Sequence, residues 1–254
     1  MEVETIIGEH EPHILGLCEA NLKNNVDISL VQHQDYHLHV AQSINNPALG
    51  IARTVVYTHT SLVVKRRLDL EDESLSSVWL EVGMPRQRKI LIATFDREWQ
   101  YLNKSEDSSR SVQAQLERWC NFLTQWETAL SEGREVVVMG DINLDFLKWT
   151  RTDLSSTDST MRLKPLTEAL FSRIIPHGVS QLVKEATRVW PGQSDSGLDH
   201  IYSNKPEKCS AIYLELTGGS DHKLLKFTRF AKSFTRKAKY VRKRSFKTLN
   251  QKNL

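Results

Sequence analysis

Ser111–Ser131 followed by Glu135–Met139 constrains the fold more than any other stretch of the chain. Val112, Leu116, Trp119, Leu123, Trp126 and Leu130 recur at spacings of three and four, which draws one apolar stripe along a helix. Gly133 stands where such a helix is expected to end. The run that follows, EVVVM, is apolar at successive positions, so a strand there carries apolar side chains on both faces. A one-faced helix leading into a two-faced strand calls for a sheet covered by helices on one side and by a second layer on the other.

The remaining pattern agrees with two sheets. His13–Cys18 reads as a buried strand, and Ile51–Tyr57, Leu62–Arg67, Ser77–Val82 and Lys89–Phe95 read as a meander. Leu198–Tyr202, Ala211–Leu216 and Lys223–Phe227 read as three final strands. A second helix is expected over Leu163–Ile175, with Pro165 tolerable in its first turn. Residues 96–109 and 150–161 are polar and are expected to be loops. The class is therefore α/β, with two β-sheets packed face to face and helices outside.

Charge divides the chain into a globule and a tail. Residues 223–254 hold twelve Lys/Arg and no Asp/Glu, whereas the first 222 residues hold 22 basic and 31 acidic side chains. An acidic globule over residues 1–230 with a basic tail over 231–254 suggests a polyanionic partner, or a solvated linker. The tail segment KYVRKRSFKTLNQK also has the composition of a nuclear-import signal. Cys18, Cys120 and Cys209 are odd in number and widely spaced, which indicates neither a zinc site nor a disulfide framework and fits an intracellular compartment. No apolar run reaches the roughly 18 residues of a membrane span, and the acidic start MEVETIIGEHEPH is not a secretory signal. A membrane is not expected as a partner, and no protein partner is inferable.

Four segments place acidic, amide or imidazole groups where strands end. HILGLCEANL runs an apolar strand into Glu19, a carboxylate that could bind Mg²⁺ or simply face water. VVVMGDINLDF sets Asp141 and Asn143 two residues apart, on one side if the chain stays extended, to position or deprotonate a water. The bland reading of that segment is a turn. SGLDHIYSN carries Asp199, and GGSDHKLL carries Asp221 and His222. An Asp beside a His favours imidazolium, which can donate to a phosphate oxygen, though a lone Asp-His pair is also a common surface turn.

Taken in order, these segments resemble the endonuclease/exonuclease/phosphatase superfamily over about residues 13–230. ILIATFDREWQYL, LDHIYSNKPEK and KYVRKRSFK further resemble the apurinic-like endonucleases of non-LTR retrotransposons. The resemblance implies a four-layer sandwich of two mixed sheets flanked by helices, and hydrolysis of a DNA phosphodiester dependent on Mg²⁺, with Mn²⁺ as a substitute. It also implies roles. Glu19 would bind metal and Asp221 would be a further metal contact. Asp141 and Asn143 would align the attacking water, and Asp199 would orient His222. Thr187 and Arg188 would contact the substrate strand.

Two departures from the pattern bear on activity. The family's opening strand, which ends in an Asn, has no counterpart here, so one sheet is expected to lack a strand. Asp96 stands in the substrate-binding position where the family has Tyr, and an ionised carboxylate cannot donate the hydrogen bond a phenol gives to phosphate. The sequence therefore leaves three functions open: a metal-dependent DNA endonuclease, a catalytically inactive nucleic-acid-binding relic, or a phosphoesterase acting on RNA, a phosphoinositide or a sphingolipid.

Overall fold

The computed structural model describes residues 3–83, 87–97, 108–149, 158–192, 194–216 and 220–230. The expected basic tail, residues 231–254, lies outside the described residues. The helices are α1 (Val3–His10), α2 (Ser108–Ser131) and α3 (Asp158–Arg173). The first strands are β1 (Ile14–Leu17), β2 (Leu22–Lys23), β3 (Tyr36–Val40), β4 (Ile51–Ala52), β5 (Val55–His59) and β6 (Val63–Arg66). They are followed by β7 (Ser76–Gly83), β8 (Ile90–Asp96), β9 (Val136–Asp141) and β10 (Ser180–Gln181). The last are β11 (Asp199–Ser203), β12 (Cys209–Leu216) and β13 (Lys223–Arg229).

A six-stranded sheet of order β10-β11-β9-β8-β7-β6 forms the centre. Its β8–β9 pair is parallel and the other pairs are antiparallel. Parallel pairing requires a crossover, and α2 between β8 and β9 provides it. The period of two then sorts side chains onto two faces. Trp79, Leu91, Ala93, Phe95, Val136 and Val138 pack with Trp119, Phe122, Leu123, Trp126, Leu166 and Leu170 of α2 and α3. Val78, Leu80, Val82, Ile90, Ile92 and Val137 join the opposite core, with Leu15 and Val56 of the second sheet. This is why EVVVM is apolar at consecutive positions.

The second sheet has the order β1-β5-β3, and β12–β13 and β2–β4 form separate two-stranded pairs. Val55, Val56, Tyr57 and Thr58 are all buried, so β5 is covered on both faces, and Ile6 and Ile7 of α1 join the same core. Helices, six-stranded sheet, second sheet and α1 make up the layered α/β sandwich that the sequence pattern implies. Among the described residues β1, which leads to Glu19, lies at one end of the β1-β5-β3 order. Glu135, just before β9, accepts two hydrogen bonds from Arg229, at 2.8 and 2.9 Å, and one from Lys208 at 3.0 Å. These charge-assisted bonds fasten the β12–β13 hairpin to the central sheet.

Several sequence expectations are corrected. The meander holds for β6-β7-β8, but β5 belongs to the other sheet. Ile51–Tyr57 is not one strand: it breaks at Arg53 and Thr54, whose backbone N–H groups donate to Ser76 Oγ at 3.0 and 2.8 Å instead of to a neighbouring strand. Asp96 is the buried last residue of β8 and not part of a surface loop, because hydrogen-bond partners satisfy its carboxylate there. The helix expected over Leu163–Ile175 begins at Asp158, inside the stretch 150–161 expected to be a loop, and ends at Arg173. Helix α1 was not expected, since eight residues with adjacent isoleucines give little periodicity.

Candidate active site

The four chemical segments meet at one end of the central sheet. β9 and β11 pair antiparallel so that Asp199 stands directly opposite Asp141, with Gly140 opposite His200. Like charges facing each other across a strand pair are destabilising unless something positive lies between them. His222 supplies that charge. Its Nδ1 lies 2.8 Å from Asp199 Oδ2, and ligand atoms of Asp141, Asp199 and His222 all lie within 4.8 Å of one another. The segment before β13 is held in place by the chain around Thr187: Lys223 N donates to Thr187 O at 2.7 Å, and Val189 N to Asp221 O at 2.9 Å.

The electrostatics follow from this crowding. Burial pushes the proton affinity of Asp141 well up, and the carboxylates of Asp199 and Asp96 push it further. Burial by itself lowers the pKa of His222, but the hydrogen bond and charge of Asp199, with Asp141 and Asp221 behind it, raise it to about 9. His222 is thus an imidazolium at neutral pH, with Nε2 as the donor it can offer. Replacing Asp199 with Asn should bring this midpoint down from about 9 toward the ordinary 6.5, since burial then acts against Asp141 and Asp221 alone. A proton-NMR titration of the His222 ring checks this, and a midpoint that stays near 9 would refute the pairing.

Asp141 and Asn143 come together by a turn rather than by strand alternation. β9 ends at Asp141, and Asn143 adopts a positive φ of 53°, which Asn tolerates better than most residues. Asp141 Oδ1 accepts from Asn143 N at 2.9 Å, and Oδ2 accepts from Asn143 Nδ2 at 3.0 Å. Asn143 Nδ2 also donates to Arg97 O at 3.0 Å, so the amide is fixed on two sides. Arg97 locks the turn from below: its guanidinium donates to Ile142 O at 2.5 Å and Asn143 O at 2.6 Å. Burial lowers the pKa of Arg97 to about 10, which leaves it charged.

Both expected cation ligands are engaged by arginines. Glu19 is outside the Asp141–Asp199–His222 group and accepts from Arg53 Nη2 at 3.0 Å. Its backbone has a positive φ of 54°, held by a 2.6 Å hydrogen bond from Glu19 N to Asp96 Oδ2. Asp221 pairs with Arg188 Nε at 2.5 Å, which also commits Arg188, one of the expected substrate contacts. Thr187 is fully buried and its hydroxyl accepts from Leu198 N and Asp199 N, both at 3.0 Å. It therefore sets the entry to β11 and does not face solvent. Asp96 is also fully buried as a side chain and bonds Arg53 Nε at 3.0 Å.

Sequence reasoning did not identify Arg53, Arg97 or Cys18. Cys18 donates to Phe95 O at 3.6 Å and accepts from Asp141 N at 3.3 Å, and burial then Asp96 and Asp141 raise its pKa so that it stays a thiol. None of the three carries a local signal, since each acts through a tertiary contact.

The donor chemistry suits a divalent cation. Asp141 and Asp199 offer carboxylate oxygens beside each other, and hard cations such as Mg²⁺ and Mn²⁺ take oxygen ligands. Protonated His222 is a hydrogen-bond donor in that setting and not a ligand. Among the described residues no helix is long and apolar enough to cross a membrane.

Comparison with known proteins agrees with the geometry. Among solved structures the chain resembles the endonuclease domain of TRAS1, a telomere-specific non-LTR retrotransposon, with a TM-score of 0.56 and 12% identity over 88% of each chain. It also resembles an AP endonuclease from Archaeoglobus fulgidus, with a TM-score of 0.60 and 15% identity over 90% of this chain and 93% of that one. A third is the 3'-5' exonuclease NExo from Neisseria meningitidis, with a TM-score of 0.61 and 11% identity over 89% and 93%. At these identities the likeness establishes the fold. No curated protein matches the chain in sequence. Residues 2–222 match the Endonuclease/Exonuclease/phosphatase family, and the chain belongs to that family.

Proposed function

We propose that this chain is a Mg²⁺-dependent DNA endonuclease derived from a non-LTR retrotransposon, hydrolysing a phosphodiester by in-line attack of water. One observation carries the reading: Asp141 and Asp199 face each other across β9 and β11, with the His222 imidazolium on Asp199 at 2.8 Å. A site so charged has little use in a core, whereas it matches what a phosphodiester needs. His222 donates to a non-bridging oxygen as negative charge grows there, and Asp199 holds its ring in place. Asn143, fixed by Asp141 and Arg97, orients the water, and Asp141, with its raised proton affinity, takes the proton. Thr187 and Arg188 position Asp199 and Asp221. Oxygens of Asp199 and, when released from Arg53, Glu19 would hold Mg²⁺ or Mn²⁺ beside Asp141, and the cation would supply neutralisation of phosphate charge and stabilisation of the leaving oxygen.

Nicking of supercoiled plasmid tests the proposal. We expect open circles with Mg²⁺ and none with EDTA, and a parallel panel of RNA, phosphoinositide and sphingolipid substrates left uncut. Plasmid that stays intact with both Mg²⁺ and Mn²⁺ defeats it. A second reading, a non-cleaving nucleic-acid-binding protein, is favoured by the engagement of Glu19 with Arg53 and of Asp221 with Arg188. It predicts DNA binding that weakens steeply with salt, as phosphate contacts release counterions, without nicks.

A further inference from the structure

Glu19 and Asp96 share a cation that the chain itself supplies. Arg53 Nη2 donates to Glu19 Oε1 and Arg53 Nε to Asp96 Oδ1, both at 3.0 Å, and Nη1 reaches Asn21 Oδ1 at 3.4 Å. The two arms differ in surroundings. The Asp96 side chain is 0% exposed, whereas that of Glu19 is 59% exposed. A desolvated ion pair resists separation, while an exposed one contributes little. Arg53 is therefore anchored on Asp96 and only loosely held on Glu19.

The backbone around the clamp is fixed. Ala20 N donates to Arg53 O at 2.9 Å, Arg53 N donates to Ser76 Oγ at 3.0 Å, and Glu19 N donates to Asp96 Oδ2 at 2.6 Å. Rearrangement is left to the side chains. Space for it exists beside the guanidinium, in a cavity of about 110 Å³ lined by Asn21, Arg53, Ser76, Asp96, Arg97 and Gln115 among others.

We propose that Arg53 gates cation binding: it occupies the Glu19 carboxylate, and a divalent cation gains Glu19 as a ligand only by displacing the Arg53–Glu19 hydrogen bond while Arg53 stays on Asp96. The inference rests on the metal-dependent reading above. Two effects act together. The guanidinium competes for the carboxylate oxygen, and its positive charge repels an incoming divalent ion. Arg53 thus sets the affinity of the site, so that cation enters fully only when something else, such as a bound phosphate, draws it in.

The test titrates Mn²⁺ into the full chain and follows the free-ion signal by electron paramagnetic resonance. The proteins compared are wild type, Arg53→Met, Glu19→Gln and the double variant. Arg53→Met should bind Mn²⁺ about tenfold more tightly, the effect of removing one charge-assisted competitor. The double variant should lose that gain, because the two residues act as a unit. Equal affinity in wild type and Arg53→Met overturns the gate, as does a gain that survives Glu19→Gln. Since Arg53→Met leaves Asp96 buried without its partner, Arg53→Lys is the second variant. It keeps a positive charge for Asp96, cannot bridge both carboxylates, and should tighten binding in the same direction. Binding that Asp199→Asn abolishes but no Arg53 variant alters refutes the gate alone. Absence of Mn²⁺ binding in every variant refutes the metal-dependent reading as well.

Discussion

Replacing His222 with Ala should lower plasmid nicking about 10³-fold, the usual scale for losing a charged donor and proton-transfer group at a reacting phosphate. The fold should hardly change. His222 lies at the head of β13, is partly exposed, and contributes one side-chain hydrogen bond to Asp199. Losing this charge-assisted bond costs about 2 kcal/mol, while the bonds from Leu198 N and Asp199 N to Thr187 Oγ1 still fix the entry to β11. Thermal melting and nicking measured together check the separation. Retained nicking with a large fall in melting temperature would show a structural His222 and remove the centre of the proposed mechanism.

The same residue gives a pH dependence of defined sign. The folded pKa of about 9 lies above the ordinary 6.5. Stabilisation from protonated His222 is therefore complete below about pH 6.5 and fades as pH rises through about 9. Wild type and His222→Ala should differ in stability at neutral pH and converge above that range. Nicking should fall on the same alkaline limb, because the donor is lost when the imidazolium deprotonates.

Much of the fold was legible because its signals are local or periodic. The stripe from Leu116 to Leu130 and the EVVVM run identify a helix lying on a two-faced strand, and both appear as α2 and β9 in the helix-side core. The site was legible where chemistry coincides with a strand end: Asp141, Asp199 and His222 meet as the order of segments implied. What escaped depends on contacts far apart in sequence. Arg53 acts on Asp96 across 43 positions and Arg97 on Ile142 across 45, and no pattern around either residue marks it. The expectation that extended geometry aligns Asp141 with Asn143 reached the right juxtaposition by another route, since the positive φ of Asn143 turns the chain. Sequence likewise offered no means to see that Glu19 and Asp221 would each pair with an arginine.

Replacing Gly140 with Ala should have the largest effect on stability. Gly140 has a φ of +139°, a conformation that side chains other than hydrogen rarely adopt, and a Cβ there would lie 2.0 Å from Phe95 O and 3.0 Å from Phe95 C. Both are backbone atoms of β8, so no side chain can swing away. The approach is functional in its consequence. It lets β8 and β9 close together at their ends, where Arg97 N donates to Asp141 O at 2.9 Å and where Asp96 and Asp141 terminate adjacent strands. Relief would require parting the strands and dragging Asp141 from Asp199. We expect a loss of about 4 kcal/mol, at the far end of the range for point substitutions, and a melting temperature lower by roughly 10 °C. Gly133→Ala is the matched control. Its φ of +65° is also positive but nothing lies within 4 Å of the added carbon, so only backbone strain of about 1 kcal/mol applies. If the two variants melt alike, the close contact at Phe95 does not hold the strand ends together, and the juxtaposition of Asp96 with Asp141 needs another cause.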